Sequence, residues 1–289
     1  MATRSTRPKL LVVVGPTATG KTALAIQIAG EFNGEIIAAD SRTIYKAMDV
    51  GTAKPSVAEQ ARVPHWGLDL VEPGETFSAA QFQKYACAKI DGIQRRGRLP
   101  ILVGGTGLYI DSVIFGFKFR EAADANLRQK LEKLGIEELQ ALVTKKGYPM
   151  PENLRNRRHL IRTIESSGQI GGKSQKPKAG TAIIGLMPPA EVIKQRISSR
   201  LAKNFELIIK ETRVLLAKYG RQNIQKTAGI PYLTAIDYID GKINAADAKK
   251  RILTDEWQYA RRQRTWFKRN PHIKWFKSAE DAFSFFETI

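Results

Sequence analysis

The sequence contains one cysteine, Cys87, and no apolar run that approaches the roughly 20 residues of a membrane-spanning helix. A single cysteine excludes an internal disulfide and favours a reducing compartment, so we expect a cytoplasmic protein that does not associate with membranes. Residues 1–9 are basic but lack the apolar core of a secretory signal. Hydrophobic residues make up 43% of the 289-residue chain, which is enough for a globular core.

Acidic residues are also scarce. The chain has 28 Asp and Glu against 47 Lys and Arg, a formal net charge of +19 at pH 7, and none of the acidic residues lies between Trp257 and Lys277. An enzyme acting on small metabolites does not need such an excess, whereas a protein that holds a nucleic-acid backbone does. A generally basic surface kept for solubility would give the same charge.

One strong motif is present. The segment GPTATGKT fits G-x-x-x-x-G-K-[ST], and it lies between a β-branched run at Leu10–Val14 and a stretch of helical periodicity, a context that a chance glycine turn would not require. Backbone N–H groups of this loop and the helix N-terminus are predicted to hold a polyphosphate, Lys21 to add a charge, and Thr22 to offer its hydroxyl to Mg²⁺. The predicted phosphate-binding residues are Gly15, Pro16, Thr17, Ala18, Thr19, Gly20, Lys21 and Thr22.

Two more buried strands are predicted at residues 35–39 and 99–103. Asp40 follows the first strand, and the carboxyl ends of parallel strands line the ligand crevice, so we expect Asp40 beside the phosphate loop. An Asp after a strand also commonly caps a helix or forms an Asx turn. The second strand is followed by residues 104–107 (GGTG) where ATPases usually carry a Walker-B Asp. These glycines either bring the backbone close to another group or form a plain turn, and Thr106 presents a hydroxyl.

The apolar spacing between residues 115 and 167 is helical, with no clear strand, whereas residues 181–186 indicate a return to the sheet. We therefore predict an α/β fold: a P-loop NTPase-like parallel sheet flanked by helices, with a small all-helical insertion domain. The predicted boundaries are 1–115 and 168–289 for the core and 116–167 for the insertion. A short strand is predicted within residues 64–71, and later helices are predicted from Pro188, at 205–219, at 231–239 and at about 245–270.

Two basic segments stand out. Residues 156–162 (NRRHLIR) are basic at helical spacing, which indicates either a solvated face or a grip on nucleic acid. In the last helix, Arg264 falls on the same heptad-like stripe as Ala260 and Phe267, so we expect it on the inward face, paired with a protein carboxylate or a ligand phosphate. Basic side chains interleaved with Tyr259 and Trp266 suit a nucleic-acid backbone and unstacked bases.

These residues carry a family resemblance. The chain resembles the tRNA dimethylallyltransferases in GPTATGKT (15–22), ADSRTIYKAMDVGTAKP (39–55), the Pro64-His65 segment before FSAAQF, LVGGTGLY (102–109) and QYARRQRTWFKRN (258–270). That family prenylates N6 of an adenosine next to the anticodon, at position 37. The resemblance implies tRNA and dimethylallyl diphosphate as substrates, Mg²⁺ as cofactor and a phosphate loop that holds a diphosphate leaving group. We also expect a monomer.

The resemblance further implies roles for individual residues. Asp40 is the expected general base toward N6, Thr106 lies near the reacting centre, and Lys21, Thr22 and Mg²⁺ neutralise the diphosphate. Arg200, which shares a helix face with Arg196, is expected on the diphosphate. The expected catalytic residues are Asp40, Thr106, Lys21 and Arg200. The expected tRNA contacts are Asp40, Ser41, Arg42, Thr43, Thr106, Arg158, His159, Arg162, Gln263 and Arg264. The family's usual Gly-Tyr-Lys-Glu segment appears here as residues 229–232 (GIPY).

Three other functions fit parts of the sequence. A P-loop kinase of a small nucleotide or metabolite predicts a Walker-B-like carboxylate and an arginine lid. A non-enzymatic RNA-binding module would leave the crevice of Lys21, Thr22 and Asp40 without a use. Prenylation of free adenine nucleotides would leave the basic and aromatic C-terminal helix without a role.

Overall fold

The computed structural model describes residues 7–119, 125–169 and 171–289. The chain divides into two compact units, one made of the residues up to Ile114 together with Pro177–Ile289, the other of Phe115–Lys176. Residues 168–176, which we expected in the core, therefore lie in the second unit. No helix among the described residues combines the length and the hydropathy that crossing a bilayer would require.

The first unit is built on a six-stranded sheet in its described residues. The strands are β1 (Leu10–Val14), β2 (Gly34–Ala38), β3 (His65–Trp66), β4 (Leu99–Gly104), β5 (Thr181–Leu186) and β6 (Lys274–Phe276). All of them pair in parallel, in the spatial order β3-β2-β4-β1-β5-β6. β4 thus lies between β1 and β2, so the loops that follow these three strands open side by side at the carboxyl edge.

Helices cover both faces of this sheet. In chain order the helices of the described residues are α1 (Lys21–Glu31), α2 (Val57–Arg62), α3 (Ala79–Arg95), α4 (Gly107–Ile114), α5 (Ala125–Leu131), α6 (Ile136–Lys145), α7 (Arg157–Glu165), α8 (Ala190–Tyr219), α9 (Arg221–Thr227), α10 (Ile230–Ile239), α11 (Ala245–Phe267) and α12 (Ala279–Glu287), of which α5, α6 and α7 belong to the second unit. Leu11, Val13 and Ile101 pack with α1 and α12, and residues of the opposite pleat face α3 and α4. Because both faces are covered, β1 and β2 are buried along their whole length.

The α/β fold is confirmed, but several elements differ from those predicted. α8 is one helix of 30 residues where we expected two, because Leu201 and Phe205 continue its buried stripe and no glycine or proline interrupts it. β3 has only two residues of the predicted 64–71 segment. β6, α9 and α12 were not predicted. They have three, seven and nine residues, lengths at which periodicity carries little information.

The second unit has helical secondary structure in its described residues, as its apolar spacing predicts. α5, α6 and α7 pack around Leu131, Leu139, Val143, Leu160, Ile161 and Ile164. α7 shows the pattern most clearly. Its buried residues are three of the apolar side chains, while Arg158, His159 and Arg162 are exposed. Leu160 and Ile161 therefore anchor a helix whose other face is basic.

Candidate active site

The phosphate loop joins β1 to α1 and turns at two glycines. Gly15 has φ +154°, and a Cβ there would lie 2.6 Å from the carbonyl oxygen of Leu186. Gly20 has φ +94° and immediately precedes α1. A side chain would be strained at either position, so the loop can wrap around an anion only with glycine at both. The predicted strand–loop–helix context is confirmed.

A cavity of about 190 Å³ opens beside this loop. Its polar lining includes the side chains of Lys21, Thr22, Asp40 and Arg200. Its apolar lining comes from Ala18, Ile36, Ala38, Ala53, Pro55 and Val103. The structure therefore brings together the phosphate loop, Asp40 just beyond β2 and the last residue of β4, as the carboxyl-edge argument predicts. A charged head and a short apolar tail would both find complementary walls there.

The pKa of Lys21 is set by its surroundings in the cavity. Its Nζ donates to the carbonyl oxygen of Pro16 at 3.1 Å. Burial lowers the pKa of Lys21 to about 8, the carboxylate of Asp40 opposes this shift, and the guanidinium of Arg200 adds to it. Lys21, Asp40 and Arg200 thus share one electrostatic environment.

Asp40 combines the two roles that the sequence left open. Its Oδ1 accepts the backbone N–H of Arg42 at 2.8 Å, which is an Asx turn, and its carboxylate also lines the cavity. The turn uses one of about four lone-pair positions of the carboxylate and fixes its orientation. The hydrogen bond from Arg42 therefore orients the carboxylate of Asp40 while leaving it in the lining of the cavity.

Thr106 ties the ends of two strands together. Its Oγ1 accepts the backbone N–H of Ser41 at 2.9 Å, and its own N–H donates to Ala39 at 3.2 Å. A hydrogen bond also joins it to the hydroxyl of Tyr259, whose pKa is raised to about 12 by burial and by the charge of Asp40. At Gly104, two residues before Thr106, a Cβ would lie 2.0 Å from the carbonyl oxygen of Ala39. That glycine is therefore required by the close approach of two strand ends.

Two buried polar atoms at the cavity have no partner among the described residues. Thr43 is 5% exposed, and its Oγ1 makes no hydrogen bond. His65 donates its Nδ1–H to the carbonyl oxygen of Val63 at 2.8 Å, whereas its Nε2 is buried without a partner, and burial lowers the pKa of His65. Both side chains line the cavity. Buried polar groups in native proteins are nearly always paired, so a ligand with polar atoms would complete this wall.

The remaining residues expected on tRNA near the cavity occupy different settings. Arg42 is exposed, but its Nη1 donates to the carbonyl oxygen of Thr227 at 2.7 Å. Ser41 is partly exposed and shares hydrogen bonds with Thr106. In the second unit, Arg162 pairs with Glu165 at 3.5 Å.

The expected position of Arg264 is wrong. Arg264 is exposed, and the adjacent Gln263 occupies the inward face with 5% exposure. Neighbouring residues of a helix are separated by about 100°, so Gln263 and Arg264 point in different directions. The buried residues of α11 are Ala248, Ile252, Ala260, Gln263 and Phe267, which places the buried stripe on the side of Gln263. Gln263, expected on tRNA, is therefore buried inside the unit.

Sequence reasoning also missed Glu256 and Glu211. Glu256 accepts from Arg200 at 2.6 Å, and Arg200 also approaches Thr17 Oγ1 at 3.4 Å. Glu211 accepts the backbone N–H groups of residues 49, 50 and 51 at 2.8, 2.9 and 3.1 Å, together with the hydroxyl of Tyr232 at 2.7 Å. The next two residues of that loop, Thr52 and Ala53, line the cavity. Neither glutamate lies in a motif, so neither could be found from spacing.

The residues present fit a Mg²⁺ ion that arrives with a ligand. No group of three or more His, Cys, Asp and Glu in the described part of the chain could hold a metal ion. Mg²⁺ typically takes one or two protein oxygens and completes its shell with phosphate oxygens and water. Thr22 and Asp40 both line the cavity and offer such oxygens. Mg²⁺ itself remains a prediction.

Residues 43–270 match the sequence model of a family described as IPP transferase. The chain belongs to the IPP transferase family. The tRNA dimethylallyltransferases of Bacillus mycoides (strain KBAB4) and Carboxydothermus hydrogenoformans are 36% and 38% identical to it. These alignments cover 93% and 95% of this chain and 90% and 93% of the respective relatives.

A solved IPP transferase has the same fold. The crystal structure of the full-length tRNA isopentenylpyrophosphate transferase from Bacillus halodurans is 33% identical and gives a TM-score of 0.73, over 98% of this chain and 96% of that one. The resemblance predicted from the sequence is thereby confirmed at the level of the family and the fold. The roles of individual residues remain predictions.

Proposed function

We propose that this IPP transferase is a tRNA dimethylallyltransferase. It transfers the dimethylallyl group of dimethylallyl diphosphate to N6 of an adenosine at position 37, next to the anticodon of tRNA. The observation that carries the proposal is the cavity in which Lys21 and Arg200 at the phosphate loop lie together with the carboxylate of Asp40. The activity named for relatives that align over nearly their whole length supports the same reaction.

The reaction depends mainly on how the enzyme positions the two substrates. The exocyclic amine of adenine is a poor nucleophile because its lone pair is delocalised into the ring. A bond forms between N6 and C1 of the donor, the C1–O bond breaks, and its electron pair leaves with the diphosphate. The proton of N6 passes to the carboxylate of Asp40. Catalysis then consists of in-line alignment, proton removal and stabilisation of the leaving group.

The leaving group would meet several positive groups. Backbone N–H groups of the phosphate loop, Lys21 and Arg200 would surround the diphosphate, and Glu256 accepts from the guanidinium of Arg200 at 2.6 Å. A Mg²⁺ ion held by Thr22 would neutralise part of the same charge when bound. The apolar lining, including Ile36, Ala38 and Val103, would hold the five-carbon chain.

The RNA would be held by the exposed cations of the chain. Arg261, Arg262 and Arg269 line a shallow groove on α11 together with Trp266. Arg158, His159 and Arg162 are exposed on α7. The target base must leave its stack before N6 can react, which costs a few kcal/mol and requires a firm hold on the flanking backbone. The charge of +19 suits that task.

A kinase fits the site less well. β4 ends in Gly104, where a P-loop kinase would carry a carboxylate for its metal ion. Prenylation of free adenine nucleotides would use the same cavity but not the basic groove on α11. A cytoplasmic location and a monomeric state complete the proposal, and size-exclusion chromatography with light scattering tests the second of these.

The test supplies dimethylallyl diphosphate, Mg²⁺ and an anticodon stem-loop containing the target adenosine, with AMP and ATP as alternative acceptors. We expect prenylated RNA and loss of product when EDTA removes the metal ion. Product formed on AMP alone would mean that the acceptor is a free nucleotide and not tRNA. Transfer of phosphate from ATP to a metabolite would overturn the proposal.

A further inference from the structure

The side-chain amide of Gln263 joins two loops of the cavity. Its Oε1 accepts the backbone N–H of Thr17 in the phosphate loop at 2.8 Å. Its Nε2 donates to the carbonyl oxygen of Gly105, in the loop after β4, at 2.9 Å. With 5% of its surface exposed, Gln263 uses both ends of the amide inside the protein. A buried amide that is hydrogen-bonded at both its oxygen and its nitrogen is a specific structural link, because its loss would leave buried groups of both loops unpaired.

Resting on the function proposed above, we propose that Gln263 is a positioning residue for the diphosphate donor. It fixes the phosphate loop at Thr17 relative to Gly105 and Thr106, and it makes no contact with the RNA. Thr17 lines the cavity and its Oγ1 lies 3.4 Å from Arg200, so the orientation of this residue affects the groups that face the diphosphate. Thr106, adjacent to Gly105, holds the backbone of Ser41 next to Asp40.

The fit around Gln263 is tight enough to restrict its neighbour. A Cβ added at Gly105 would lie 2.1 Å from Nε2 of Gln263 and 3.2 Å from its Cδ, whereas the next atom, the carbonyl oxygen of Gly15, is 3.6 Å away. Gly105 therefore has no room for a methyl group while Gln263 is present, and has ordinary room once the glutamine is shortened. If Gln263 faced solvent, shortening it would not change the effect of a substitution at Gly105, so the two positions can be tested together.

The helix that carries Gln263 also presents the basic groove. Tyr259 and Gln263 face the loops of the cavity, through hydrogen bonds to Thr106 and to Thr17 and Gly105 respectively. Arg261 and Arg262 face the groove. One face of α11 thus contacts the loops of the cavity, and another face lines the basic groove. Substitution of Gln263 should therefore affect the donor and spare the RNA.

The first experiment compares Gln263→Met, which keeps most of the side-chain volume but loses both hydrogen bonds, with Gln27→Ala on the exposed face of α1 as the control glutamine. We expect Gln263→Met to raise the KM for dimethylallyl diphosphate and the Kd for inorganic pyrophosphate by about tenfold, since small misplacements of aligned groups have large effects. The Kd for the stem-loop should change less than about twofold. Gln27→Ala should change none of these values.

The second experiment is a double-mutant cycle. Gly105→Ala alone should weaken pyrophosphate binding by about 100-fold or more, because its methyl group would overlap Gln263. In the Gln263→Ala background the same glycine substitution should add less than about threefold, which is the non-additivity expected of residues in contact. Circular dichroism and melting temperature identify variants that have lost their fold. The pyrophosphate measurement is then read on the folded ones.

Two outcomes would overturn the inference. If Gln263→Met weakens stem-loop binding and leaves pyrophosphate binding unchanged, Gln263 is an RNA contact. If only the melting temperature falls, its role is packing alone. Failure of the wild-type protein to transfer a dimethylallyl group would refute the proposed function separately, because pyrophosphate binding is measured without turnover.

Discussion

The cavity and the outer face of α7 contain similar residue types in opposite settings. In the cavity, Lys21 is held by Pro16, Arg200 by Glu256 and Asp40 by its Asx turn. On α7, Arg158 and His159 are exposed to solvent. A charge held in place stabilises one arrangement of reacting atoms, whereas an exposed charge contributes a field that salt screens.

This difference predicts how each region responds to substitution. Chemistry in the cavity depends on geometry, so single changes there should have steep effects that salt does not alter. Binding by exposed cations is shared among many residues, so single changes there should have small effects that disappear at high salt.

The largest effect is expected for Asp40→Asn. The amide keeps the size of the side chain but cannot take the proton of N6, so kcat should fall by about 10²–10⁴-fold, the usual contribution of a general base. The Kd for the stem-loop should stay within about twofold. Single-turnover transfer and fluorescence anisotropy measure the two quantities, and Asp91→Asn on the exposed face of α3 is the control. Equal losses of turnover and affinity would assign Asp40 a structural role.

The next effect is a pH dependence set by Lys21. A lysine is charged below its pKa, and burial places the pKa of Lys21 at about 8. The kcat/KM for dimethylallyl diphosphate should therefore be level below pH 8 and fall by about tenfold per pH unit above it, since this parameter reports the free enzyme.

The matched variant is Lys21→Arg. Its side chain remains charged throughout this range, so its profile should stay level to higher pH even if its overall rate is lower. Profiles of both proteins between pH 6.5 and 9.5 make the comparison. A level wild-type profile across pH 8 would contradict the role of Lys21 as the titrating charge.

Much of the cavity could be predicted from sequence because its parts are local. Gly15, Lys21 and Thr22 belong to one short motif, Asp40 lies just beyond a recognisable buried strand, and Gly104 ends another. Parallel strands bring such ends together whatever the details of packing. The expected grouping of the phosphate loop with Asp40 is present for that reason.

What escaped prediction depends on contacts between distant segments. Gln263 pairs with Thr17 across 246 positions of the chain, and Glu211 pairs with Val50 across 161. No local pattern encodes such pairs. The placement of Arg264 failed because one residue corresponds to a rotation of about 100° around a helix, and the buried side of α11 includes Gln263. The sequence shows Gly105 as part of a glycine-rich turn, but the side chain that requires a glycine there, Gln263, lies on α11.

A smaller effect is expected for Glu211→Gln, which disturbs the wall of the cavity without touching the reacting groups. The carboxylate accepts three backbone N–H groups of residues 49–51 and the hydroxyl of Tyr232. Hydrogen bonds to a charged group contribute about 1.5–3 kcal/mol, so the free energy of unfolding should fall by roughly 1–3 kcal/mol. Urea denaturation measures it, with the exposed Glu206→Gln of the same helix as control. Equal stabilities of the two variants would mean that the loop holds its shape without Glu211.

The smallest effect should come from Arg158→Ala on α7. An exposed arginine that contacts a phosphate should change stem-loop affinity by only about two- to fivefold at low salt. It should also reduce the slope of log Kd against log salt by about 1. Lys145→Ala, which removes an exposed charge at the end of α6, is the comparison. If the two variants behave alike, or if affinity falls while the slope is unchanged, α7 is a solvated face. A lower slope for Arg158→Ala alone, with kcat unaltered, would show that exposed charge and buried chemistry are separable in this protein.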